Sequence, residues 1–256
     1  MGRHRHVTGG RAIEIPRQLV ERLARARRIA VLTGAGISAE SGIPTFRDAL
    51  DGLWANYDPL ELATPLGFAR NPGLVWRWYA ERRARIAATR PNPGHAALAA
   101  LEARCADFTL VTQNIDGLHQ RAGSRRVIEL HGNIARVKCS AEEKRVETFD
   151  PQAAPPRCAC GAFLRPDVVW FGEMLPADAL ARAEAAAERC ELFFSIGTSA
   201  QVYPAADLPL RARAAGAVLV EVNPQRTPLT ERADFFLQGA AGEVLPALLG
   251  RPDLNS

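Results

Sequence analysis

The sequence predicts an α/β protein built on a doubly wound, mostly parallel sheet with a smaller helical plus cysteine-bearing module, and three observations predict it. Short apolar runs that read as strands alternate with stretches of helical period along most of the chain. One run, at 29–33, meets Gly34 and Gly36 and then small polar residues, which reads as strand, tight turn and helix start. The positions just after the strands are small, polar or ionisable, and in such a sheet ligands bind beyond the carboxyl ends of the strands.

In chain order, 16–28 carries Leu19, Val20 and Leu23 at helical spacing behind a proline suited to a first turn, and leads into the strand at 29–33. Gly34, Gly36 and Ala39 then fit the dinucleotide fingerprint in its G-x-G-x-x-A form, in which glycines let backbone N–H groups approach a pyrophosphate at a helix N-terminus. An ordinary glycine-rich strand-to-helix turn fits the same letters. About twenty residues on, where an acidic residue would end the second strand and hold a ribose, the chain reads Pro59-Leu60-Glu61-Leu62-Ala63, which is helix-like. The first crossover therefore carries a large insertion. Three helices fill it, at 59–70, 72–89 and 93–104, each opened by a proline.

The second parallel strand follows at 108–112 and a short one at 127–130, ending at His131-Gly132. Residues 134–165 are charged, proline-bearing and cysteine-containing, and read as a small insert of short strands and loops. Alternation resumes with a strand at 167–170, a helix at 176–189, a strand at 191–196, a helix near 204–214, strands at 217–222 and 234–237, and a last helix at 241–249.

A chain of 256 residues with 47% apolar content is long enough for one substantial core plus a small appended module, and argues against intrinsic disorder. Its net charge of +4 and pI near 9.0 come from arginines scattered along helices, which suits anionic small molecules and makes no case for nucleic acid. The first ten residues are polar and no apolar run reaches the roughly eighteen residues of a membrane span, so the expectation is a soluble, cytoplasmic monomer. Five cysteines in such a chain argue against a disulfide framework. Cys139, Cys158 and Cys160 cluster as a metal site would, whereas Cys105 and Cys190 sit beside apolar strands as buried thiols.

The strand-end segments Gly34-Ala35-Gly36-Ile37-Ser38, Thr45-Phe46-Arg47, Gln113-Asn114-Ile115-Asp116, Leu130-His131-Gly132, Phe171-Gly172-Glu173 and Gly197-Thr198-Ser199, in this order and spacing, resemble the sirtuins, NAD-dependent protein lysine deacylases. The match runs over 29–249. The resemblance implies a single catalytic domain with a Rossmann-like large lobe (about 10–42, 106–133 and 167–250) and a small lobe from two insertions (about 43–105, helical, and 134–166, the cysteine module). It implies that Gly34, Ala35, Gly36 and Ser38 cradle the NAD pyrophosphate with Arg47 nearby, that Phe46 shields the reacting sugar, and that Gln113 reaches the nicotinamide ribose. Asn114, Ile115 and Asp116 form the carboxamide pocket, Gly197, Thr198, Ser199 and Asn223 hold the adenosine half, and the backbone near Ala241 closes on adenine.

His131 is the implied general base, a role that an imidazole with an ordinary pKa of roughly 6.5 fills near neutral pH. In the family reaction the acyl-lysine oxygen attacks the anomeric carbon of the ribose and expels nicotinamide. Deprotonation of the ribose by His131 then lets a hydroxyl attack the resulting imidate, and water releases lysine and O-acyl-ADP-ribose. NAD is consumed as a co-substrate, so the hydride geometry of a dehydrogenase is not needed. Val169, Trp170 and Phe171 present a strand edge to which an extended acyl-lysine peptide adds.

Tyr79 and Arg82, at i and i+3, share one helix face, and a phenol with a guanidinium binds a carboxylate. With Asn92-Pro93-Gly94-His95 after it, this pair resembles the desuccinylase-like sirtuins, which remove succinyl and malonyl groups as well as acetyl. Sirtuins commonly hold one structural zinc on two C-x-x-C pairs. Here Glu142 stands where the second cysteine would be, and the later pair is Cys158-Ala159-Cys160, one residue short. A tetrahedral site wants four ligands, so either Glu142 or Glu143 completes it through oxygen or the module folds without metal. Mono-ADP-ribosyl transfer to protein and a non-catalytic NAD or acyl-lysine binding module remain alternatives that use the same pocket.

Overall fold

The computed structural model describes residues 13–44, 58–150 and 154–251. Eight strands are found among them: β1 (Arg28–Thr33), β2 (Asp107–Thr112), β3 (Val127–Glu129), β4 (Gly132–Cys139), β5 (Leu164–Val168), β6 (Leu192–Ile196), β7 (Val218–Asn223) and β8 (Phe235–Gln238). Six form a wholly parallel sheet in the order β3-β2-β1-β6-β7-β8. Counted among themselves these strands run 3-2-1-4-5-6, the order of a dinucleotide-binding sheet, with its reversal between β1 and β6.

Both faces of the sheet are covered, as its continuous apolar strands require. On one face α1 (Arg17–Arg25) buries Leu19, Val20 and Leu23 against the sheet. The helices later in the chain that pack with it there contribute Leu98 and Leu101 and then Val244, Leu245 and Leu248. On the other face Ala183, Ala187, Leu208 and Ala212 pack on Leu32, Phe193 and Leu219. Phe108, Phe193 and Phe194 are fully buried, each contributing on the order of 1.5–3 kcal/mol.

The crossover from β1 to β2 holds the expected insertion, with one correction. The helix expected over 59–70 is two, α2 (Pro59–Leu62) and α3 (Pro65–Arg70). A residue before proline is pushed out of the helical region, and Thr64 is extended, with its hydroxyl accepting the Gly67 N–H at 3.0 Å as the cap of α3. α4 (Pro72–Ala88) and α5 (Pro93–Arg104) begin alike, with Asn71 and Asn92 as caps and proline in the first turn. Leu62, Phe68, Val75 and Tyr79 of these helices share a core with Leu118, Ile134, Val168 and Trp170.

A second correction concerns the strand expected at 167–170 as a resumption of the parallel sheet. β5 instead pairs antiparallel with β4, Gly132 facing Val168 and Cys139 facing Leu164. The boundary drawn at 166/167 thus cuts through β5. The apolar run that suggested a sheet strand is apolar because Val168 and Trp170 enter the small helical core. Beyond it, α6 (Leu118–Arg121) having come earlier in the chain, lie α7 (Ala177–Arg189), α8 (Leu208–Ala214) and α9 (Ala241–Leu249). Among the described residues no helix is long and apolar enough to cross a membrane.

Candidate active site

The switch point between β1 and β6 is where the glycine turn lands. The helix start expected after the turn is a 3-10 helix, Ala35–Ser41, and Gly42 at φ +85° ends it. Gly34 N–H donates to Ile196 O at 3.0 Å and Gly36 N–H to Gly197 O at 2.8 Å. A Cβ on Gly34 would lie 2.8 Å from Gly197 O, and one on Gly36 2.7 Å from the same atom. Both glycines are therefore required first by the turn after β6, whose own Gly197 is left-handed at φ +60°. The result is a switch-point crevice at which the two turns pack main chain on main chain.

Side chains from four strand ends converge on it. Gln113 Nε2 donates to Thr198 Oγ1 at 3.0 Å, and Asn223 Nδ2 to Thr198 O at 2.8 Å. Asn114 Nδ2 bonds both Gly34 O at 3.0 Å and Ser38 Oγ at 3.2 Å. Ser38, fully buried, gives its proton to Asp116 Oδ2 at 2.7 Å, while Asp116 Oδ1 accepts the Leu118 N–H at 2.9 Å. Burial raises the Asp116 carboxyl above its ordinary pKa against these donors and the Arg82 charge. Ile115 is partly buried beside the helical core, and its carbonyl accepts the Ile134 N–H at 2.8 Å. Ala35 opens the 3-10 helix and Ser199 is half-buried after Thr198. Ala241 is buried at the first turn of α9, where Glu40 takes the Gly242 N–H at 2.6 Å. Phe46 and Arg47 lie outside the described residues.

His131 sits between the two sheets, in the two-residue turn Leu130-His131 that joins β3 to β4. Its Nδ1 is 2.8 Å from Gln113 O. A carbonyl oxygen only accepts, so Nδ1 carries the proton and Nε2 is left as the basic nitrogen. Burial holds the ring below the usual histidine pKa, with the Gln113 carbonyl partly offsetting it. An imidazole of fixed tautomer, neutral near pH 7, is what a general base needs.

Behind this row lies a polar network that the sequence reading missed. Thr33 Oγ1 donates to Thr112 Oγ1 at 2.8 Å and therefore accepts from His119 Nε2 at 2.9 Å. The His119 and His95 rings are 4.9 Å apart, and His95 Nε2 lies 3.5 Å from Ser38 Oγ. His95 Nδ1 accepts the Asn92 N–H at 3.4 Å, closing a capping box, while Asn92 Nδ2 holds Ile37 O at 2.7 Å. Desolvation pushes His95 down to about 4 and His119 to about 3, so both are neutral. The available signal was His95 three residues after Asn92; His119 carried none beyond an imidazole beside Leu118.

Tyr79 and Arg82 do share a face of α4. Tyr79 is buried, its hydroxyl accepting from Trp170 Nε1 at 3.0 Å, and burial raises its pKa. The Arg82 guanidinium lies 5.3 Å over the Trp78 ring, and burial lowers its pKa, partly offset by the neighbouring Tyr79 and Asp116. Val169 N–H donates to His131 O at 2.9 Å, Trp170 N–H to Glu173 Oε2 at 2.7 Å and Phe171 N–H to Ala63 O at 2.9 Å. The three N–H groups of 169–171 are thus engaged within the chain, and Trp170 O in turn accepts the Glu173 N–H at 3.0 Å. The Phe171 side chain is 49% exposed.

In the cysteine module the sulfurs of Cys139, Cys158 and Cys160 lie within 4.8 Å of one another. Zinc–sulfur bonds of about 2.3 Å in a tetrahedron place sulfurs about 3.8 Å apart, so the three fit three corners of a zinc site. Neither Glu142 nor Glu143 joins the cluster. Cys105 and Cys190 are buried thiols, Cys190 pushed up to about 12 by burial.

Comparison with known proteins agrees with this geometry. The model of the Sir2 family matches residues 34–204. An NAD-dependent protein deacylase of Methylococcus capsulatus is 53% identical over 93% of this chain and 97% of its own length. A crystal structure of a Sir2 homologue–NAD complex superposes with a TM-score of 0.87 at 47% identity, covering 93% of this chain and 94% of the other. A structure of Sir2 with p53 peptide and NAD+ reaches 0.81 at 35% identity, covering 91% and 97%.

Proposed function

This chain belongs to the Sir2 family, and on that premise we propose that it removes acyl groups from protein lysines with consumption of NAD, yielding nicotinamide and O-acyl-ADP-ribose. The observation that carries the reading is His131, held as the Nδ1–H tautomer by Gln113 O at the edge where the Gly34 and Gly197 turns meet. The side-chain amides and hydroxyls that converge there support a ligand with two riboses, while the Gly34 and Gly36 N–H groups are spent on holding the two turns together. Gln113, Thr198, Ser199 and Asn223 hold the sugars. Asp116, oriented by Ser38 and Leu118 N–H, receives the carboxamide between Asn114 and Ile115. His131 Nε2 takes the ribose hydroxyl proton, and the exposed face around Phe171 receives the peptide that carries the acyl-lysine.

The acyl group accepted extends to succinyl and malonyl. Arg82 is a half-buried cation beside the buried Tyr79 phenol, an environment that favours an incoming carboxylate. The test is turnover on acetyl- and succinyl-lysine peptides with NAD, repeated with Arg82→Met. Losing a charge-assisted pair lowers succinyl kcat/KM about tenfold or more and leaves acetyl turnover within about threefold. Undiminished succinyl turnover in the variant rejects the acidic-acyl pocket. Nicotinamide released without an equal yield of O-acyl-ADP-ribose rejects deacylation.

A further inference from the structure

Among the described residues the cysteine module holds three sulfurs, one short of a tetrahedral metal site. Cys139 ends β4 inside a small core with Trp76, Val137 and Leu164. Cys158 and Cys160 arrive on the turn leading to β5, tied by Cys158 N–H to Ala162 O at 2.8 Å and Gly161 N–H to Cys158 O at 2.9 Å. The Cys139 and Cys160 sulfurs are 3.5 Å apart, and Cys139 Sγ accepts the Glu142 N–H at 3.4 Å. An amide donated to a sulfur favours its thiolate form.

The carboxylates that would supply a fourth ligand are turned elsewhere. Glu142 faces Lys144 at 3.6 Å, and Glu143 pairs with Lys138 and reaches toward Arg165 at 4.0 Å. The Lys138 side chain is only 11% exposed, so drawing Glu143 to a metal would strip a half-desolvated cation of its partner. Cys160, by contrast, is exposed, leaving the sulfur triangle open to solvent. We infer that Cys139, Cys158 and Cys160 form a three-thiolate site with an open fourth position. It takes thiophilic ions satisfied by three sulfurs, and zinc bound in it keeps an exchangeable ligand from outside the chain.

Trivalent arsenic is the probe for the first half. Arsenous acid exchanges three As–O bonds for three As–S bonds, the thiol protons leave with the hydroxides as water, and nothing is oxidised or reduced. Arsenite is added to the full chain after chelation, and free thiols are counted. One arsenic consumes three thiols, and Cys139→Ser, Cys158→Ser and Cys160→Ser each weaken binding about tenfold or more, whereas Cys105→Ser and Cys190→Ser do not.

Cobalt(II) tests the second half. Its thiolate charge-transfer band has the strength of three sulfurs and rises when an added monothiol enters the fourth position, and Glu142→Gln and Glu143→Gln leave it unchanged. Arsenic that consumes only two thiols, parent-like binding by Cys158→Ser, or a cobalt band indifferent to added thiol or altered by either Glu variant overturns the inference. Far-UV circular dichroism checks folding, and the exposed Cys160→Ser decides if the buried Cys139→Ser misfolds.

Discussion

The crevice at the strand ends and the cysteine module are held by opposite means. In the crevice, position comes from backbone: six parallel strands fix where each turn begins, and Gly34 and Gly36 press main chain on main chain against Gly197. In the module, β4 and β5 form a two-stranded sheet whose loops bring three sulfurs together. The first region needs no ligand to be organised, whereas a lone hairpin is marginal by itself and gains from cross-linking. Function that depends on a few tenths of an ångström is thus placed on the sheet, and the departures from family pattern fall in the module.

The sharpest break of that contrast is His131→Ala. Loss of a general base lowers deacylation by about 10²–10⁴-fold, while stability falls only by about the 0.5–1.5 kcal/mol of the one Gln113 hydrogen bond. Near-normal turnover would remove His131 from the chemistry. In the parent enzyme, kcat/KM falls on the acid side as Nε2 is protonated, and the midpoint lies below the ordinary 6.5 because burial disfavours the charged ring.

Next in size is acid destabilisation of the crevice. His95 and His119 titrate near about 4 and about 3 when folded against 6.5 when free. The unfolded chain therefore binds protons first as pH falls. The stability is fully present above pH 6.5 and is lost progressively down toward pH 4, on the order of 3 kcal/mol for His95 alone. Urea unfolding between about pH 7 and 4.5 reads it, and His95→Gln makes the profile shallower. A profile unaffected by that substitution would show the imidazole to be solvated.

Smaller again is Gly36→Ala, whose methyl would meet Gly197 O at 2.7 Å. Such overpacking costs about 1–3 kcal/mol and raises the KM for NAD, so a variant with parent-like stability would show the turns to be compliant. The smallest effect is expected from Cys160→Ser in chelated protein. An exposed substitution shifts global unfolding by under about 0.5 kcal/mol, and a larger shift would mean that the module braces the sheet without metal.

The same contrast explains what was readable in the letters. Alternating strands and helices announced a parallel, doubly wound sheet because a helical crossover returns the chain in the same direction, and polar residues after the strands announced the crevice. Where order failed, a local rule was overridden by packing. Thr64 broke a helix to serve as a cap, and Val168-Val169-Trp170 looked like a sheet strand because a helical core elsewhere wanted the same apolar residues. The network of Thr33, Thr112, His119 and His95 was invisible because its members lie far apart in sequence and each is an ordinary residue alone. Glu142 was visible as a departure, but only the placement of Lys144 and Lys138 revealed where the acidic pair had gone.

The bond from His131 Nδ1 to Gln113 O has a consequence for the traffic of protons. With that nitrogen committed to a carbonyl, the imidazole has a single door: whatever enters at Nε2 must leave by Nε2. A proton taken up there in the proposed reaction is handed on from the same nitrogen, to the departing amine or to water, so one face of one ring serves as both entrance and exit.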